Sequence, residues 1–192
     1  MKSNPLKILL TTDLLIAGAY GLILSIFPLF LMDTMAGATL FTVSLAQSLF
    51  LLSKINFHWI AANYIKHHHV LDRARGGLLT GAIIISLVPA LYLTVSDMTL
   101  ILLIQIFLGL GMGILQASWK ILSHEDIKKT DWPTLQNNHR HTTIFVMAMT
   151  AALGGFTAYN YGYCALMYLM TGIGLLAVLL SAVLIMKSPA KS

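Results

Sequence analysis

Charge is scarce in this sequence, and the scarcity decides its class. Only 10% of the 192 residues are Asp, Glu, Lys or Arg, where a soluble domain carries about 25%. Too few solvated side chains are present to cover a globular surface, so a soluble domain is excluded. Cysteine is nearly missing as well. Cys164 stands alone, which rules out an internal disulfide and a cysteine-held metal cluster. The one glutamate, Glu125, lies outside every apolar run. No Pro-, Gly- or Ser-rich linker interrupts the chain, so residues 1–192 are expected to form a single domain.

Long hydrophobic runs are what the chain does have: 57% of it is hydrophobic and the mean hydropathy is +0.80. Six apolar stretches emerge, about 8–32, 40–62, 77–95, 99–118, 142–159 and 164–186. Each is near the roughly 20 residues that a spanning helix needs. The expected fold is therefore an all-α membrane protein of six transmembrane helices. Lys2 and Lys7 before an apolar run have the look of a secretion signal, but Asp13 interrupts that run and the hydrophobicity continues to Met32. A retained first span is expected.

The cations are distributed on one side of this pattern. The connections after spans one, three and five (33–39, 96–98 and 160–163) hold no Lys or Arg. Eleven of the twelve cations fall in the termini and the other two connections, at Lys2, Lys7, Lys66, Arg73, Arg75, Lys120, Lys128, Lys129, Arg140, Lys187 and Lys191. Positively charged segments stay cytoplasmic, so both termini are expected inside an inner, bacterial-type cytoplasmic membrane. The excess of cations follows membrane sidedness and not nucleic-acid binding. Short connections imply that consecutive helices pack as antiparallel neighbours. Pro28 and Pro89 are expected to bend their helices or to be covered. The polar segment 123–141 reads either as a short surface helix over Ser123–Lys129, acidic first and basic last, or as a charged loop.

Polar residues inside the spans are the candidate site. Asp13 and Lys54 are charged, and each costs about 2.5–3.5 kcal/mol at a bilayer centre unless it faces a partner or water. An Asp13–Lys54 pair is one solution; a proton-carrying Asp13 is another. On span two, Ser44, Gln47, Lys54 and His58 recur at helical spacing, and on span one Tyr20 lies two turns beyond Asp13. Span four, Thr99 to Ser118, holds no charge and places Gln105, Gly109, Met112 and Gln116 on one side. Asp13, Tyr20, Gln47, Lys54, Gln105 and Gln116 are the six pathway candidates, expected to line a central polar cavity, with spans three and six facing lipid. Gly109 and Gly113 form a small-xxx-small pair for close helix packing, and Gly154 and Gly155 are further packing candidates.

The seven histidines, His58, His67, His68, His69, His124, His139 and His141, gather toward the cytoplasmic side. Three adjacent histidines point in three directions, unlike a helical His-x-x-His-His ligand set, so no metal, cofactor or enzymatic activity is expected. Interfacial histidines that gain charge below about pH 6.5 account for them.

Local motifs then add a resemblance. Gly21-Leu-Ile-Leu-Ser-Ile-Phe-Pro28-Leu-Phe-Leu31 is similar to the first-span exit of the major facilitator superfamily. Gln105-x-x-x-Gly109-x-Gly111-x-Gly113 resembles that family's fourth-span Arg-x-x-x-Gly. Thr150-Ala-Ala-Leu-Gly154-Gly155 resembles its fifth-span Gly-Pro-x-x-Gly-Gly. Asp72-Arg73-Ala74-Arg75-Gly76 resembles its loop between spans two and three, Asp-Arg-x-Gly-Arg, with the last two members exchanged. The departures are the glutamine at the arginine position, Thr-Ala for Gly-Pro, and histidines where a glycine precedes Asp72.

The resemblance implies one six-helix half of a transporter whose halves share an orientation and bind substrate between them. A parallel homodimer, or a second half-length chain, would complete the twelve-helix layout. It implies alternating-access transport of a small solute. The other reading is a non-transporting membrane subunit or assembly factor that keeps the half fold.

Overall fold

Pro28 has no backbone N–H to give to Leu24, and its ring crowds the preceding turn. In the computed structural model the first span breaks there: α1 (Pro5–Leu24) ends, and α2 (Phe27–Thr34) starts with the proline in its first turn. α3 (Leu40–Lys66), α4 (Val70–Thr94), α5 (Met98–Glu125) and α6 (Trp132–Met186) follow. The structure describes residues 5–66, 70–125 and 132–186. Lys2, His67, His68, His69, Lys128, Lys129, Lys187 and Lys191 lie outside them.

Five of the described helices are long and apolar enough to cross a membrane. α6 has 55 residues, about 80 Å of helix against a hydrocarbon core of about 30 Å. Gly162 divides it with φ 80° and ψ 170°, a backbone conformation that only glycine adopts cheaply. Its limbs, 132–161 and 163–186, correspond to the fifth and sixth expected spans, and α1 with α2 to the first.

Close packing is set by small residues. Gly18 and Gly21 lie against Val146 and Met147, and Gly154 against the Leu22 backbone, so α1 and the first limb of α6 run side by side in parallel. Gly109 lies against Phe50 and Ser53, and Gly113 against Lys54 and His58, which joins α3 to α5, also in parallel. Gly77, Gly81 and Gly111 knit α4 to α5, and Gly174 meets Ser86, seating the second limb on α4. The main pairings are thus first span with fifth, second with fourth, and third with fourth and sixth. Among the described helices α3 to α6, α4 and α5 are the consecutive pair that packs closely. The expectation that consecutive helices are neighbours fails for α3 and α4, which meet sparsely, because the glycines that permit contact face other helices.

The cation-free connections meet at one end of the bundle. There the Ala36 N–H donates to the Ser96 carbonyl at 3.0 Å, and the Tyr163 hydroxyl donates to Asp33 Oδ2 at 2.7 Å.

Two further expectations are corrected. α4, expected to face lipid, buries Leu78, Ala82, Ile85, Val88 and Tyr92 between α5 and α6. Open apolar faces are carried by α3, with Leu52, Ile55 and Trp59 exposed, by the first limb of α6, with Phe145, Leu153 and Phe156 exposed, and by the second limb, with Tyr168, Leu175 and Leu179 exposed, as expected of the sixth span. The segment 123–141, expected as a surface helix or loop, is helical at both ends, while 126–131 lie outside the described residues. α5 continues through Ser123, whose hydroxyl donates to the Trp119 carbonyl at 2.6 Å, and α6 is already helical at Trp132, ten residues before the expected span.

Candidate functional site

Four spans each send one neutral polar side chain toward a common cavity. Tyr20 comes from α1, Gln47 from α3, Tyr92 from α4 and Gln105 from α5, and they line a cavity of about 40 Å³ whose other walls include Ile23, Phe27, Val88, Leu108 and Met170. That is room for ordered water, which needs roughly 10–15 Å³. Gln105 is 2% exposed, and its Nε2 donates to the Tyr92 hydroxyl at 3.0 Å. Gln47 and Tyr20 share the cavity wall, and the Tyr20 ring stacks on Phe50 at 5.8 Å. A buried amide without a partner costs about 1–3 kcal/mol, so the Gln105–Tyr92 bond fixes one donor–acceptor pair in an apolar interior. Among the described residues, no charged side chain lines the cavity. Pro89 is also on its wall. The backbone donor Pro89 lacks is absent one turn before Tyr92, within a helix that stays continuous.

The charged candidates sit elsewhere. Asp13 Oδ2 lies 2.8 Å from His139 Nε2, and the His139 ring stacks on Trp119 with centroids 5.0 Å apart. α1, α5 and α6 are thereby joined at the cation-bearing end. An Asp13–Lys54 pair is not formed. Lys54 Nζ instead lies 5.9 Å from the Phe50 ring centroid, one turn back on its own helix. Asp13 turns to α6 because α1 packs along that helix and not along α3.

Three of the six pathway candidates, Tyr20, Gln47 and Gln105, meet at the cavity. Gln116 does not join them. It is exposed, since the buried side of α5 shifts around the helix to put Leu115, Ala117 and Ser118 inside. Asp72, Arg73 and Arg75, expected in a loop, stand in the first turns of α4. There Arg75 pairs with Asp72 at 3.1 Å, and Arg73 donates to the Tyr64 carbonyl at 3.0 Å. Gly155, expected to pack like Gly154, faces open space. Among the described residues no three His, Cys, Asp or Glu side chains gather as a metal site would require.

Tyr92, Trp119 and His139 are the site residues that sequence reasoning missed. Tyr92 lies one turn past Pro89, beside the three-residue connection that brings α4 back against Gln105. His139 lies one turn before the fifth span, so helical continuation alone would have carried it to the level of Asp13.

Compared with known proteins, the chain matches no family model and no curated sequence. The site has to be read from its own geometry.

Proposed function

We propose that the chain is one half of a two-part membrane transporter of the major facilitator type, moving a small solute by alternating access as a parallel homodimer. The observation that carries this reading is the convergence of Tyr20, Gln47, Tyr92 and Gln105 from four spans on one cavity inside an otherwise apolar bundle. One interhelical bond needs two polar groups; here four polar side chains from four helices share one space.

Two further observations support it. Exchanging the first three spans for the last three maps the first–fifth packing onto the fourth–second packing and leaves the third–sixth packing unchanged, two of the correspondences that an inverted three-plus-three repeat requires. The open apolar faces of α3 and the first limb of α6 offer a surface on which a second copy, related by a closed two-fold, can build the other wall of a pathway. A companion half-length chain would serve the same purpose. In this reading both termini are cytoplasmic, the membrane is a bacterial-type inner membrane, Asp13 is the candidate ion-coupling group, and the chain has no catalytic role.

One observation favours the second reading, a non-transporting subunit. Asp13 is held by His139 and Gln105 by Tyr92, so both polar groups are committed to internal bonds. Uptake of a mixed small-solute pool into proteoliposomes separates the two. Transport predicts accumulation that falls when Tyr20, Gln47 and Gln105 are replaced together by Phe, Leu and Leu. A subunit role predicts no uptake and a stable partner of different sequence on purification.

A further inference from the structure

α3 and α4 are consecutive in sequence yet stand apart toward the end that carries the cations. Between them opens a groove of about 470 Å³, walled by Ile60 and Tyr64 of α3 and by Arg73, Gly76 and Thr80 of α4, with Leu110 of α5 on its floor. From Arg73 to Thr80 is about 10 Å of helix, a third of the hydrocarbon thickness. Gly76 keeps one wall low: a Cβ there would meet nothing within 4 Å.

Among the described residues, Arg73 is the one charged side chain lining the groove, and no carboxylate lines it. One guanidinium N–H donates to the Tyr64 carbonyl at 3.0 Å, and the Tyr64 ring lies 4.6 Å from the guanidinium carbon. The head group is thus held at the mouth with further donors of its five unused in that bond. Lys66 is exposed at the end of α3, and the nearest acid in sequence, Asp72, is paired with Arg75 at 3.1 Å. The groove is greasy along its length and cationic at the membrane–water boundary. Those two properties match a molecule with acyl chains and a negative phosphate.

We propose that this groove seats one anionic phospholipid, with its phosphate at Arg73 and its chains along Ile60, Gly76, Thr80 and Leu110. A diffuse positive surface attracts anionic lipid without fixing it; a walled groove under an arginine fixes one molecule. The site needs only that the helices lie in a membrane and does not depend on transport.

Native mass spectrometry of the full chain in mild detergent, titrated with dioleoyl phosphatidylglycerol or dioleoyl phosphatidylcholine, tests it. The expected result is one retained phosphatidylglycerol and much weaker retention of phosphatidylcholine. Arg73→Gln should lower the retained fraction about fivefold. Gly76→Phe keeps every charge but fills the groove, and should abolish retention while circular dichroism stays unchanged. Should Arg73→Gln fail to fold, Gly76→Phe decides alone. Equal retention of the two lipids, unchanged retention in a folded Arg73→Gln, or wild-type retention in Gly76→Phe would each overturn the proposal.

Discussion

His139 Nε2 lies 2.8 Å from Asp13 Oδ2, and this bond ties the start of α6 to α1 at the cation-bearing end of the bundle. At the other end Tyr163 bonds Asp33 at 2.7 Å. Span one and its extension α2 are thus fastened to the same long helix at both ends, one fastening in each of its limbs. The His139 side chain is 9% and the Asp13 side chain 21% exposed, so the first bond is largely shielded from solvent and should be the stronger.

That strength is measurable by a double-mutant cycle. Asp13→Asn and His139→Ala should each lower thermal stability in detergent, and the double variant should be little worse than either alone. The expected coupling is about 1.5–3 kcal/mol, the range for hydrogen bonds to charged groups. Additive losses would show that the two residues act independently.

The outer fastening responds to pH with a definite sign. Burial, together with the hydrogen bond and charge of Asp33, pushes the Tyr163 hydroxyl above its ordinary value. A group whose pKa rises on folding contributes stability below its unfolded pKa, about 10, and loses that contribution as pH climbs through the folded value. Wild type should exceed Tyr163→Phe by a small constant margin, under about 1 kcal/mol for so exposed a bond. The margin should vanish only in strongly alkaline buffer. A margin that falls between about pH 6 and about pH 8 would contradict the assignment.

Glycine substitutions should discriminate sharply by position. A Cβ at Gly113 would come within 2.7 Å of His58 N and Lys54 O, both backbone atoms, whereas one at Gly155 meets nothing within 4 Å. Gly113→Leu should therefore force α3 from α5 and cost at least the 1–3 kcal/mol of ordinary overpacking, seen as lost folded yield. Gly155→Leu should give wild-type yield of folded monomer.

Stability and transport should separate at the cavity. Tyr92→Phe alone leaves the Gln105 amide without its acceptor and should cost about 1–3 kcal/mol. Adding Gln105→Leu removes the orphan and should restore much of the melting temperature, while uptake stays lost. Recovery of both together would mean that the pair only bonds α4 to α5.

Much of this arrangement was legible in the residues. Apolar run lengths located the long helices and the two limbs of α6, and the bare connections at 33–39, 96–98 and 160–163 do meet at one end. Tyr20, Gln47 and Gln105 were placed by helical spacing alone. Spacing failed where a partner's position decided the outcome. Gln116 shares a side with Gln105 on paper, but α5 is packed on more than one flank, and Leu115, Ala117 and Ser118 took the inside. Asp13 found His139 and not Lys54 because Gly18, Gly21 and Gly154 set α1 against α6, a choice among helices that a single helix's pattern does not contain. Gly154 and Gly155 are adjacent in sequence, and only the neighbour across the interface distinguishes a contact from open space.

The central claim is that this chain is half of a working unit. Its mass in lipid nanodiscs, measured by native mass spectrometry or light scattering, tests that most directly. The account predicts a species of twice the 21.0 kDa chain mass, or one chain joined at equal stoichiometry to another six-helix chain, with cross-links between α3 and the first limb of α6 in the partner. A population made wholly of single chains without any membrane partner would leave the cavity with no second wall and contradict it.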